Sequence, residues 1–233
     1  MNFITSETDW SSICALVLVL GCQHGFDPDH LATIDGLTRC HSQGRPQLSR
    51  YCGALFSLGH GGVVLAIALA VSMAVHVGPL PLWLDGFGMA VSVFFLVVLG
   101  ALNLYTVWTT LPHEVVRLTG LRGRWPGAVG QAASPWLVPL IGALFAISFD
   151  TLSQAALFAT IATHFGGWEH ALMLGLLFVL GMLLVDGFNG LWVFRLLCRT
   201  DQIGLKAARF MGWVVSMLSL LVAALTLVRW IQR

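Results

Sequence analysis

Two histidines and three aspartates share twelve residues in His24-Gly-Phe-Asp-Pro-Asp-His30 and its continuation Leu31-Ala-Thr-Ile-Asp35. Imidazole and carboxylate together suit a divalent transition metal such as Ni²⁺, Co²⁺, Zn²⁺ or Mn²⁺, and ligand type alone does not choose among them. The run directly follows the apolar stretch Ile13 to Leu20. An ionisable side chain at the centre of a membrane helix costs about 2.5–3.5 kcal/mol. Three acids would cost roughly 8–10 kcal/mol before pairing, and a bound cation is the simplest offset. The alternative is a polar turn in water at the end of a first span.

The elements that position these groups follow from the spacing. On an unbroken helix, positions 24, 27, 31 and 35 share a face, so His24, Asp27 and Asp35 would point together and His30 would lie off that stripe. Pro28 cannot donate to the carbonyl of His24 and clashes with it, which predicts a kink or an opening there. Broken membrane helices build ion sites from side chains and freed carbonyls.

Other polar residues lie inside apolar segments. His60 sits in Leu58-Gly-His-Gly-Gly-Val-Val64, where glycines allow another backbone to approach, and reads as a ligand or a bridge between helices. Asp150, in Phe149-Asp-Thr-Leu-Ser-Gln154, and Asp186, in Gly181-Met-Leu-Leu-Val-Asp-Gly-Phe-Asn189, are functional candidates by their depth. Gln154 and Asn189 read as helix–helix contacts or neutral ligands, and Asn103 as a helix–helix contact. The expected metal ligands are His24, Asp27, Asp29, His30, His60 and Asp150, with Asp35, Asp186, Gln154 and Asn189 behind them or along the path. His41, His76, His113 and Glu114 read as surface residues. His164, Glu169 and His170 read as a solvated outer loop.

Composition sets the environment. The 233 residues are 57% hydrophobic and 10% charged, with a mean hydropathy of +0.83. That balance belongs to a polytopic membrane protein and leaves no room for a second, soluble domain. A net charge of +1 gives no reason to expect nucleic acid. Five scattered cysteines without C-x-x-C spacing predict neither a disulfide framework nor a structural zinc site. The first ten residues carry Glu7 and Asp9 and no basic residue, unlike a signal peptide.

About six spans are expected, each near or above the roughly 20 apolar residues required. They fall near Trp10–Thr38, Tyr51–Val77, Leu82–Leu111, Pro135–His164, Trp168–Cys198 and Ala207–Ile231. Basic residues alternate between connections: Arg39, Arg45 and Arg50, then Arg117, Arg122 and Arg124, then Arg195, Arg199, Lys206 and Arg209. By the positive-inside rule those connections are cytoplasmic and both termini lie outside. Arg229 and Arg233 run against the rule. Trp83, Trp108, Trp136, Trp168 and Trp230 fall near span ends, as an interfacial belt would. Gly53, Gly59, Gly88, Gly100, Gly175 and Gly181 are expected to permit close helix packing.

The two halves resemble each other at an offset of about 123 residues. Gly25-Phe-Asp27 aligns with Ser148-Phe-Asp150, and Phe56-Ser-Leu-Gly59 with Phe178-Val-Leu-Gly181. Gly88-Met-Ala-Val-Ser92 aligns with Gly212-Trp-Val-Val-Ser216, and Ala101-Leu-Asn-Leu104 with Ala224-Leu-Thr-Leu227. Three spans per half means opposite entry into the membrane, hence an inverted 3+3 repeat with its site near the midplane. The expected fold is an all-α integral membrane protein, one transmembrane domain over residues 1–233. Its halves are about 10–111 and 135–231, and its first helix is broken at the His/Asp motif.

The run His24-x-x-x-x-Asp29-His30, with Asp27 inside it and Ile34-Asp35-x-x-Thr38-Arg39 after it, resembles the signature of the nickel/cobalt transporter (NiCoT) family. Leu58-Gly-His60-x-x-Val-Val64, Phe149-Asp-Thr151 and Gly181-Met-x-x-x-Asp186-x-x-x-Gly190 resemble the family's next three motifs in order. The resemblance implies high-affinity secondary uptake of Ni²⁺ or Co²⁺ across the cytoplasmic membrane. It carries over His24, Asp27, Asp29, His30, His60, Asp150 and Asp186. There are departures. Gly61-Gly62 replaces Ser-Thr, Gln154 and Asn189 stand where the family has acids, and of the family's usual eight or so spans the first and the last are expected to be absent from this sequence.

The expected function is uptake of Ni²⁺, with Co²⁺ next, and the metal is cargo rather than a resident cofactor. No G-x-x-x-x-G-K-[ST] run is present. A divalent cation moving inward through an inside-negative potential gains about 4.6 kcal/mol per 100 mV, which favours import. The alternatives are an exporter on the same scaffold, a subunit of a larger complex with accessory chains, and a membrane acyltransferase. The last would use His24-x-x-x-x-Asp29 as a base with its orienting acid.

Overall fold

The computed structural model describes residues 10–42, 44–73, 82–111, 134–147, 154–155, 157–159, 161–162, 165–199 and 202–232, apart from the side chains of 82–88, 91–92, 95 and 99. Eight helices have defined bounds among the described residues: α1 (Trp10–Gly25), α2 (Pro28–His41), α3 (Pro46–Ser49), α4 (Cys52–Met73), α5 (Leu82–Thr109), α6 (Leu137–Phe145), α7 (Trp168–Cys198) and α8 (Gln202–Ile231). No strand occurs among the described residues. Helices α4, α7 and α8 are long and apolar enough to cross a membrane. Along α7, Leu176, Leu180, Leu184 and Phe188 are exposed at helical spacing, a stripe suited to lipid.

The first predicted span is two helices. The amide of Asp27 takes the carbonyl of His24 at 3.0 Å, the bond that Pro28 could not make. Pro28 then opens α2 at its first position, where a missing N–H is tolerated, and Leu31 N donates to Asp27 O at 3.1 Å. The predicted fourth span differs more. Helix α6 has nine residues, and its last bonds tighten to Ile147 N→Leu144 O before residues 148–153, which lie outside the described set. Helix α3 sits within a stretch read as a plain connection.

Packing is backbone against backbone. A Cβ at Gly53 would strike the Asp186 carbonyl, at Gly59 the Pro139 carbonyl, at Gly142 the Phe56 carbonyl, and at Gly181 the Leu18 carbonyl. Small residues at such crossings are what association without a hydrophobic drive requires. Gly53 against Asp186, Gly61 against Val179 and Leu65 against Gly175 show that α4 and α7 run antiparallel. Gly100 against Leu220 and Gly212 against Val107 show the same for α5 and α8. One apolar core joins Val17, Val64, Phe158, Leu174 and Phe178, and another joins Ile34, Leu37, Phe56, Val138 and Phe145. Helix α2 lies between the α1–α4–α7 group and the α5–α8 pair and touches both.

Candidate metal centre

His24 ends α1, His30 stands in the first turn of α2, and His60 lies in the middle of α4. The break at Phe26–Asp27 turns His30 back toward His24. The rings of His24 and His30 are 4.6 Å apart, those of His30 and His60 4.8 Å, and those of His24 and His60 5.2 Å. One nitrogen from each of the three lies within 4.8 Å of the others. His24 is 6% exposed, and His30 and His60 1% each. Phe56 meets the edge of His30 and Phe178 flanks His24, so the pocket has apolar walls.

One carboxylate holds a ring of the cluster by a hydrogen bond, and a second lies beside another ring. His30 Nδ1 lies 3.1 Å from Asp186 Oδ2, and Ser57 Oγ donates to the same oxygen at 2.6 Å. With Nδ1–H given to Asp186, Nε2 of His30 is a lone pair, and it is buried without a hydrogen bond among the described residues. His24 Nδ1 lies 2.8 Å from Asp27 Oδ2, and His24 Nε2 lies 3.3 Å from His60 Nε2. In His30 a carboxylate holds one ring nitrogen and leaves the other for the cluster, which is the way proteins prepare an imidazole for a metal.

The expected ligands divide as follows. His24, His30 and His60 converge. Asp27 reaches the cluster only through His24 and is half exposed. Asp29 Oδ1 accepts the amide of His30 at 2.9 Å, a bond within the first turn of α2. Asp186, expected behind the ligands or along the path, holds His30. Asp35 faces elsewhere: Arg39 Nε donates to its Oδ2 at 2.8 Å, and Asn103 Nδ2 to the same oxygen at 3.3 Å. The shared face of His24, Asp27 and Asp35 on an unbroken helix therefore does not form. Gln154 Oε1 and Asn189 Nδ2 are buried without hydrogen bonds among the described residues. Asp150 lies outside those residues, as do His76, His113, Glu114 and His164.

Three residues carry more than the sequence suggested. Ser57 supports Asp186, and its place one helical turn before His60 was the available signal. Arg39, read as part of a basic connection, is 2% exposed. His41, read as a surface residue, is also 2% exposed, with Nδ1–H donated to Leu37 O at 2.8 Å and Cys52 Sγ 4.0 Å away.

Comparison with known proteins gives the family. The sequence profile of the NicO family, described as high-affinity nickel-transport protein, matches residues 10–231. The nickel transporter NixA of Staphylococcus aureus is 34% identical over 202 residues, covering 75% of this chain and 59% of that protein. The high-affinity nickel-transport protein NixA of Helicobacter pylori is 28% identical over 219 residues, covering 83% and 66%. The cobalt transport protein NhlF of Rhodococcus rhodochrous is 29% identical over 212 residues, covering 77% and 58%. The chain thus spans less than two thirds of each of these relatives. No solved structure matches it.

Proposed function

Because the chain belongs to the NicO family of high-affinity nickel-transport proteins, we propose that it takes up Ni²⁺, with Co²⁺ as the next cargo, across the cytoplasmic membrane, and that His24, His30 and His60 form the stop within the membrane. The observation that carries this reading is the convergence of three buried imidazoles from three helices, one of them hydrogen-bonded to a buried carboxylate and another beside a half-exposed one. Neutral imidazole binds Ni²⁺ and Co²⁺ well and leaves the bound charge on the ion. The buried Asp186 then offsets part of that charge at one remove. Asp27, Asp29 and Asp150 are proposed to line the approach or complete the coordination, with Gln154 and Asn189 along the path.

The architecture proposed around the stop has about six spans in two inverted halves, with both termini outside. Its support is the antiparallel packing of α4 with α7 and of α5 with α8, the helices that the internal resemblance pairs. A twofold axis in the membrane plane relates its mates in that sense. Inward movement of a dication is favoured by an inside-negative potential.

The test is accumulation of radioactive Ni²⁺ by cells at nanomolar supply. Wild type is expected to accumulate the ion, and His24→Ala, His30→Ala and His60→Ala are expected to fail with the protein still in the membrane. Normal accumulation in all three removes the proposal, and net loss of preloaded Ni²⁺ favours an exporter on the same scaffold.

A further inference from the structure

Outside the histidine cluster, the interior holds one buried ion pair among the described residues that the proposed stop does not use. Asp35, Arg39 and Asn103 are 1%, 2% and 1% exposed. Arg39 Nε and Asn103 Nδ2 both donate to Asp35 Oδ2, and Arg39 Nη2 donates to the Ala208 carbonyl at 3.2 Å. Helix α2 is thereby gripped by α5 and α8 at once. Buried ion pairs seldom stabilise a fold relative to well-packed apolar residues, whereas breaking one is strongly unfavourable. Such a pair is a poor glue and a good directional link. Asp35 stands five residues beyond His30, about 140° around the helix, so the link faces away from the cluster.

The three histidines stand on unequal footings. His24 on α1 and His60 on α4 belong to helices packed directly on the backbone of α7, through Gly21 on the Phe178 carbonyl, Gly181 on the Leu18 carbonyl and Gly53 on the Asp186 carbonyl. A slide along α7 would bring larger side chains against the carbonyls that these glycines now face. His30 stands on α2, which is separated from α1 by the break at Phe26–Asp27. Helix α2 meets α7 through side chains, His30 on Asp186 and Ile34 on Gly190. For an ion to leave the cluster a ligand must withdraw, and His30 is the one on the helix that follows the break.

We propose that Asp35, Arg39 and Asn103 couple α2 to the α5–α8 pair, so that a shift of that pair draws His30 away from His24 and His60 and releases the cation. The inference rests on the histidine cluster being the metal stop. Arg39 and Asn103 are positioning residues, acting on the ion through α2.

The test measures radioactive Ni²⁺ binding to the purified full chain in nanodiscs beside Ni²⁺ uptake into proteoliposomes. The proteins are wild type, Arg39→Gln, Asn103→Leu, the exchange Asp35→Arg with Arg39→Asp, and His24→Ala. Asn103→Leu leaves no charge unpaired and decides the matter if Arg39→Gln fails to fold. Uptake by Arg39→Gln and Asn103→Leu is expected to fall by about tenfold or more, as displaced support can do from a distance. Their affinity is expected to stay within about threefold, short of the roughly 10–100-fold loss that follows removal of a ligand's own support. The exchange is expected to recover part of the uptake. Parallel loss of binding and uptake, or unchanged uptake, overturns the coupling alone. No binding by wild type, or undiminished binding by His24→Ala, overturns the metal stop and this inference with it.

Discussion

Nε2 of His24, at the end of α1, lies 3.3 Å from Nε2 of His60, in the middle of α4. Two nitrogens bound about 2.0–2.1 Å from one tetrahedral ion are about 3.3–3.4 Å apart. Either one ring donates a proton to the other across that gap or a cation is shared there. His30 brings a third nitrogen to the second case, and the three lie within 4.8 Å of one another.

Support behind His30 should show in affinity. Asp186→Asn removes the charge that holds the Nδ1–H of His30, and Ni²⁺ binding is expected to weaken by about 10–100-fold. Equilibrium binding to the purified protein measures it. Ser57→Ala removes one hydrogen bond from the same carboxylate and is expected to have a smaller effect.

The break between α1 and α2 should be indispensable. On a continuous helix His24 and His30 are six residues, about 240°, apart and cannot share a pocket. Pro28→Ala restores the missing donor and lets the helix run on. Uptake is expected to fall sharply while the protein remains in the membrane, and wild-type uptake would show that the proline is dispensable.

The break shows what sequence could and could not supply. Pro28 after His24 was enough to predict an opening in the first span, because a missing N–H is a local property. The direction in which His30 turned was not local, and the unbroken-helix stripe left it out. His60 was legible from its glycine-rich surroundings, although its role as ligand or bridge was not. Arg39 misled as a connection residue because a charge count assigns side chains to loops or spans without knowing that Asp35 and Asn103 wait inside. The ending of α6 at Phe145 had no sequence signal, since apolar residues continue beyond it.

Close helix approach makes a separate prediction. Gly53→Val would press a branched side chain into the Asp186 carbonyl, whereas nothing lies within 4 Å of a Cβ at Gly62. Overpacking of the first kind is expected to cost about 1–3 kcal/mol or more. Gly62→Ala is expected to stay within about 1 kcal/mol of wild type, helped by the better helix propensity of alanine. Thermal unfolding of the purified proteins in detergent compares them, and equal melting temperatures would contradict the backbone contact.

X-ray absorption at the nickel edge, on purified protein loaded with one equivalent of Ni²⁺, tests the central claim most directly. Three imidazoles are expected around the ion in wild type and two in His60→Ala. A spectrum without imidazole scattering, or one that His24→Ala, His30→Ala and His60→Ala all leave unchanged, would contradict a metal stop built from these three histidines.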